Sequence, residues 1–314
     1  DSDYIVIESP GTANGTQYKI LVPSGIAVHF ESNGGAITAT DLDAYLTIDT
    51  GGGVVRIQDV AGPVDVRSDG GNVNVAYSSD DVTISTNGGQ ITVSNIEGEV
   101  SATTGGGQVV VRNVEDDVDI VTAGGNVEVG DVDGDVSVLT AAGNIDIDHV
   151  GGRATVSSGG GDIKLVAISG AIRASTNGGD IEGRQLKSGM RLETLAGDID
   201  LEGIRSEVRA ITEVGDVDIT VVNTSFLSKG SLIVDVGHGG IAIRLPQNVR
   251  ANILATVAQS GTIEASRSGW DIEVLRQRPN IRRDEVRRLE IKIGGGGGEI
   301  SLSLQVGDIY IRNR

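Results

Sequence analysis

The sequence predicts an all-β fold: a single-stranded parallel β-helix, or β-solenoid, built from 18-residue coils with distinct end caps. Three observations carry that prediction. With Gly35 as position 0, steps of eighteen land on Gly53, Gly71, Gly89, Gly107, Gly125, Gly143, Gly161, Gly179, Gly197 and Gly215, eleven glycines without one insertion. A Ser or Thr stands three residues before each, from Ser32 and Thr50 to Thr194 and Thr212, and an Ile or Val stands two residues after. Composition agrees, because glycine supplies 47 of 314 residues and aromatics only 3% against a hydrophobic share of 38%. An aliphatic core rich in β-branched Val and Ile favours strands and is far too apolar for glycine-rich disorder.

Within one unit the apolar side chains fall at Val127, Val129, Val132, Val136 and Val138, followed by Thr140. The period inside each run is two, and Gly130-Asp131, Asp133-Gly134-Asp135 and Ala141-Ala142-Gly143 supply turn residues between runs. Each unit is therefore two or three short strands joined by tight corners. Equal unit lengths stack Val127 between Val109 and Ile145, which buries a continuous aliphatic column. A left-handed hexapeptide helix needs an apolar residue every sixth position, and the calcium β-roll needs Gly-Gly-x-Gly-x-Asp where this chain has Gly124-Gly125-Asn126-Val127-Glu128-Val129. Neither fits. Stacked antiparallel hairpins are the remaining alternative, and ungapped spacing over eleven units favours one turn of coil per unit.

The glycine and hydroxyl columns have structural explanations. A corner that reverses the chain within three residues calls for positive φ, which glycine supplies. The inward Ser/Thr column is expected to pass hydrogen bonds to its copies about 4.8 Å above and below. A threonine ice-binding face is excluded, because the residue two beyond each Thr is Gly, Ala or Val.

The ends depart from the repeat, as solenoid ends must. Residues 1–30, with the apolar runs Tyr4-Ile5-Val6-Ile7 and Tyr18-Lys19-Ile20-Leu21-Val22-Pro23, are expected to form an N-terminal cap. Residues 31–219 form the regular solenoid. After Ile219 the register slips: Gly239-Gly240 arrives seven residues late, past a bulge holding Phe226, Leu227 and Lys229, and Gly261-Thr262-Ile263 is three late again. An arginine-rich stretch, 276–292, and the run Gly294 to Gly298 precede a last pair, Ile300-Ser301-Leu302 and Asp308-Ile309-Tyr310-Ile311. Residues 220–314 are thus coils of looser length closing into a C-terminal cap, continuous with the rest as one domain.

Charge and cysteine narrow the function. With 25 Lys plus Arg against 44 Asp plus Glu, the formal charge is −19, a field that repels nucleic acid and anionic membrane. No cysteine is present, so disulfide, thiolate and zinc-ribbon chemistry are excluded. No apolar run approaches the roughly 20 residues of a membrane helix. The chain opens on Asp1, which a trimmed signal or anchor, or a boundary inside a longer chain, explains equally well.

The frame also places the charges. Position 10, outward at the corner before the second strand, holds Asp81, Glu99, Asp117 and Asp135 in four consecutive coils, with Glu97, Glu115, Asp133, Asp80 and Asp116 beside them. Like charges about 4.8 Å apart repel, and paired carboxylate oxygens of this kind are candidate ligands for a weakly held Ca²⁺, although each such pair costs only about 1 kcal/mol in water and a merely solvated face is tolerable. No other cofactor is expected. Residues 31–150 carry 21 acids and 3 arginines, net −18, whereas later coils place Arg153, Lys187 and Arg205 at the same corner region and Arg173, Arg191 and Arg209 in one outward column. That column is a candidate interaction face. Acid against base, two rods could pair side by side and antiparallel as a weak, salt-sensitive dimer; the alternative is a monomer whose charges serve solubility. His29, His149 and His238 occupy different coils and offer no nucleophile pair. Trp270, the only tryptophan, is either a sugar platform or a plug for the C-terminal end.

The entry Tyr18-Lys19-Ile20-Leu21-Val22-Pro23-Ser24-Gly25, the repeats Gly161-Asp162-Ile163, Gly179-Asp180-Ile181, Gly197-Asp198-Ile199 and Gly215-Asp216-Val217, and the exit Leu245-Pro246 with Ser260-Gly261-Thr262-Ile263 resemble the bacterial adhesin-type family of glycine-rich β-repeat domains. The resemblance covers nearly the whole chain. It implies a right-handed β-helix, an exported or envelope location, and no catalytic residues to carry over. Early units depart with Ala36, Val54, Asn72 and Gln90 where the family prefers Asp, a difference expected to matter little at an outward position.

Together these features lead to the expectation of a non-enzymatic, exported module at the cell surface, in the periplasm or secreted, binding a protein or glycan surface ligand as an adhesin or scaffold. Uniform coils without long insertions leave no cleft. The rivals are a carbohydrate-active β-helix enzyme, using acids and an arginine such as Arg173 with a site in the irregular 220–293 segment, and a head-to-tail polymerising scaffold, which dissimilar caps oppose.

Overall fold

In the computed structural model, which describes residues 18–228, 230–266, 270–278 and 286–314, each 18-residue unit makes one coil of two strands. Positions 2 to 7 form one strand, as in Val127–Val132, and positions 11 to 15 the other, as in Val136–Thr140. Successive coils pair in parallel and in register, so Val109, Val127 and Ile145 follow one another, as do Val118, Val136 and Ala154. The coils thereby build two facing sheets of 16 and 14 strands around one aliphatic core. Val127, Val129, Val132, Val136 and Val138 are all buried. The parallel β-solenoid is confirmed, with two strands per coil.

Positions 2, 4 and 7 point inward, which a plain period of two does not allow. The offset comes from position 6, where the backbone turns left-handed: Asp41, Asp59, Tyr77, Asn95, Asn113, Asp131, His149, Ala167 and Gln185 all have φ of 54° to 58°. Each ladder skips that residue, pairing Arg112 with Gly130 and then Val114 with Val132. The extra residue turns position 7 back into the core, as a bulge does, and recurs from Asp41 to Gly203, so register is kept until Ile204 pairs with Val221, where the next coil omits it. Asn and Asp tolerate this conformation and glycine relaxes it, whereas other side chains hold it at a cost of about 1 to 2 kcal/mol.

Positive φ, the expected reason for the glycine column, holds at Gly35, Gly53 and Gly215, and a different cause governs the coils between. Gly71 to Gly197 lack positive φ; a Cβ placed on Gly125 would fall inside van der Waals contact of the Gly107 carbonyl, and Gly89, Gly107, Gly143 and Gly161 meet the same obstacle one coil back. Close stacking excludes the side chain. The preceding glycine is free of that constraint: a Cβ on Gly124 meets nothing within 4 Å, and Ala142 already occupies the equivalent place.

The hydroxyl column also bonds differently, linking glycines instead of its own copies. Thr140 Oγ1 donates to the Gly125 carbonyl (3.3 Å) and accepts from the Gly143 amide (3.1 Å), clipping one coil's glycine to the next. Thr86, Thr104, Ser158 and Thr176 do the same. Position 1, which was expected to be indifferent, carries a ladder of its own: the Asp162 carboxylate accepts from the Asp180 amide (3.0 Å), Asp180 from Asp198 (2.7 Å) and Asp198 from Asp216 (2.7 Å). Corner amides lie outside the sheet ladders and need partners; an Asp or Asn side chain has the reach to supply one. Gln108 at this position bonds Glu128 instead.

At the N-terminal end, Tyr4–Ile7 lies outside the described residues and Tyr18–Pro23 forms no strand. The parallel register begins at Val28–Ser32, paired with Leu46–Thr50. At the other end Ser225–Ser228 is a 3₁₀ turn that buries Leu227 and packs Phe226 on the core; Lys229 lies outside the described residues. The order of the last coils could not be read from their succession. Gly298–Val306 inserts between Ser231–His238 and Ala251–Ser260, parallel to both, and Ile309–Asn313 likewise separates Ile241–Leu245 from Ile263–Ala265. Antiparallel strands Arg287–Ile293 and Ile272–Arg278 then finish the 16-stranded sheet.

Adjacent substitutions test the frame. Val129→Asp places an unpaired charge between Val111 and Ile147 and should cost at least about 3 kcal/mol, while Glu128→Lys, which loses an exposed pair with Arg112 and an exposed hydrogen bond from Gln108, should cost less than about 1 kcal/mol. Gly125→Ala should lower the melting temperature sharply and Gly124→Ala should leave it nearly unchanged; equal melting curves within either pair would refute the assigned stacking.

Candidate functional site

The coils carry no inserted loops from residue 35 to residue 219, so every surface feature is made of stacked columns. Four stand out: the acidic corner, the groove beside it, the arginine column and a column of carboxylates on the 14-stranded sheet.

Asp81, Glu99, Asp117 and Asp135 do lie in one row, and each of the three aspartates gives one carboxylate oxygen to the fold. Asp81 Oδ1 accepts from the Glu99 amide (2.9 Å), Asp117 Oδ1 from the Asp135 amide (2.7 Å) and Asp135 Oδ1 from the Arg153 amide (2.7 Å). This repeats the position 1 ladder on the opposite corner. Among the described residues no group of three or more His, Asp or Glu side chains converges as a metal site.

Beside that corner, positions 6 and 8 form two walls over the buried position 7 and enclose a shallow groove of about 970 Å³ running along eight coils. Tyr77, Asn95, Asn113 and Asp131 stand on one wall, Glu97 and Glu115 on the other. Asn113 donates to Asn95 (3.1 Å), the one rung between neighbouring side chains of the left-handed row. The groove follows from the repeated kink at position 6, which periodicity alone could not locate.

The arginine column is assembled as expected. Arg173, Arg191 and Arg209 occupy equivalent places on three adjacent strands. With Arg153 they line a depression of about 320 Å³ whose only carboxylate is Glu207. The hollow exists because Ala171 and Gly189 put small residues at the corner position where other coils carry acids. Arg191 pairs with Glu193, Arg209 with Asp235 (3.7 Å) and Arg153 with Asp135 (3.9 Å), all outside the depression. Arg173 has no ion pair among the described residues, and Arg209 Nε is buried without a hydrogen-bond partner. Stacked guanidiniums about 4.8 Å apart repel by about 1 kcal/mol per neighbour in water.

Histidines 29, 149 and 238 lie on separate strands; His29 pairs with Glu31 and His149 with Asp148, both exposed. Trp270 is buried, and its indole N–H donates to the Pro246 carbonyl (3.3 Å), which makes it a plug. One column escaped sequence reasoning: Glu182, Asp200 and Asp218 stack in register on the 14-stranded sheet. Partial burial first, then the Asp218 and Glu202 charges, push the Asp200 carboxyl up, against the pull of Arg184. Asp308 is held low by hydrogen bonds from the Thr262 hydroxyl and amide, both 2.7 Å.

Against known proteins the chain stands apart: no family model, no curated protein and no solved structure matches it.

Two measurements follow. A carboxyl raised in the folded chain disfavours the charged state, so Asp200 costs stability at neutral pH and the cost vanishes below its unfolded value near ~4. Asp200→Asn should therefore raise the melting temperature at pH 7, with the gain gone by about pH 3. On the acidic corner, Asp117→Ala should cost about 1 to 2 kcal/mol in chelator and calcium alike, and Asp117→Asn much less. A rise in melting temperature with millimolar calcium, lost in Glu99→Gln with Asp117→Asn, would instead assign the row to a cation.

Proposed function

We propose that the chain is a non-catalytic, exported β-solenoid that serves the bacterial envelope as an adhesin-like binding or scaffold module. The observation that carries this reading is the unbroken register of coils from residue 35 to 219. Enzymes on parallel β-helices raise catalytic clefts from long coil loops, and the coils from residue 35 to residue 219 have none. Among the described residues, Asp117 and Asp180 accept backbone amides at the corners, and in the stacked column of the 14-stranded sheet Asp218 is held by Arg244 beside the Arg184–Glu202 pair. What remains is a long rigid surface with a polar groove and a cationic depression, suited to holding a protein or glycan. The resemblance to adhesin-type repeat domains supports export.

Polymerisation end to end is disfavoured by the closing antiparallel strands, which differ from the parallel strand at Val28–Ser32. The rival that needs a direct test is a carbohydrate-active enzyme. Incubated with insoluble envelope polysaccharide and with neutral and acidic soluble polysaccharides, the protein should bind saturably and release no reducing sugar. Release of sugar, or the absence of binding to any envelope material, would overturn the proposal.

A further inference from the structure

The arginine depression has a ligand class written into its geometry, an inference that rests on the binding-module reading and deepens it. We propose that Arg173, Arg191 and Arg209, with Arg153 at the rim, bind a linear acidic polysaccharide segment through its carboxylates, the sugar chain lying along the rod axis.

The charge argument is local. The depression gathers four guanidiniums against the single carboxylate of Glu207, and the acids that pair with Arg153, Arg191 and Arg209 stand outside it. Arg173, the first of the three stacked arginines, has no carboxylate partner among the described residues. Guanidinium forks match carboxylates in bidentate geometry, so an anion placed over the stack relieves the repulsion and gives Arg173 the partner it lacks. The protein's −19 charge does not forbid this, because salt screens charges beyond about 8 to 10 Å and the acidic excess lies in the preceding coils. A long nucleic acid would run on to those acids; a segment spanning three coils does not.

The shape argument selects a sugar chain. The three arginines rise along the rod by one strand spacing each, about 4.8 Å, comparable with one sugar residue of an extended chain. Thr155 places a hydroxyl at the start of the row, and Ser231, in line with Glu207 at the corner, places another on the lining, for hydrogen bonds to sugar oxygens. An extended peptide has no equivalent hold, because Ile172–Thr176, Met190–Ala196 and Val208–Val214 are each paired on both sides and offer no free backbone edge.

Calorimetric titration with a uronic-acid trisaccharide, and with the neutral trisaccharide of the same linkage, tests the proposal. The acidic trisaccharide should bind, more weakly as salt rises, and the neutral one should not. Arg173→Ala should weaken binding about tenfold, Arg173→Lys should restore only part of it, and Arg173→Glu should abolish it, all with unchanged melting curves. No binding by the native protein, or affinity unchanged in Arg173→Glu, would overturn the proposal. So would low-salt self-association that disappears in Arg173→Glu, which would give the face to a second copy's acidic corner. If envelope material is bound and Arg173→Glu does not affect it, the arginine site falls while the binding-module reading stands.

Discussion

The structure depends on how closely one coil lies on the next at position 0. There the carbonyl of each glycine occupies the space a side chain on the following glycine would need. Only glycine permits that approach, so the column is fixed by stacking and must recur at an invariant spacing. The Ser/Thr clips secure the same contact, tying one glycine's carbonyl to the next glycine's amide. Once coils are locked there, every inward Val and Ile meets its counterpart, and the core is one continuous column of small aliphatic residues with little aromatic content. Such a chain gains stability chiefly from neighbour contacts between coils.

The corners solve a second problem, since their amides are outside both sheets. At one corner position 1 supplies Asn or Asp oxygens to the next coil's amide, and at the other position 10 supplies Asp. The stacked aspartates at these two positions are therefore architectural, which explains why like charges are stacked there despite their repulsion. The arginine column is different, since no ladder of this kind uses Arg173, and the fold gives no structural reason to stack three guanidiniums.

The repeat, the inward set and the arginine register were legible in the sequence because they depend only on spacing. Spacing does not say why a residue type is needed. Gly125 was expected to serve a positive φ and instead serves close approach, Thr140 was expected to bond its copies and instead bonds glycines, and Asp180 was expected to be idle and instead holds the Asp198 amide. The left-handed position 6 left two traces, the shift from period two between Val129 and Val132 and the Asp or Asn at Asp41, Asp59, Asn95, Asn113 and Asp131, but Tyr77, Ala167 and Gln185 in the same column obscure the second. The insertion of Gly298–Val306 between earlier strands was illegible, because sequence order carries no record of which edge a late coil chooses. The depression around Arg173 required knowing that Ala171 and Gly189 flank it at the corner.

Removing one coil tests the stacking account most directly. Deleting residues 126–143 joins Gly125 to Asn144 and restores the glycine column, the clips and both sheets with one coil fewer. Deleting residues 126–144 shortens the joined coil by one residue, which no outward loop can absorb. Thermal and denaturant unfolding should show the 18-residue deletion as a cooperatively folded solenoid melting within a few degrees of the intact chain, and the 19-residue deletion as severely destabilised. Equal stability of the two deletions would contradict the claim that coil-to-coil glycine stacking sets the fold.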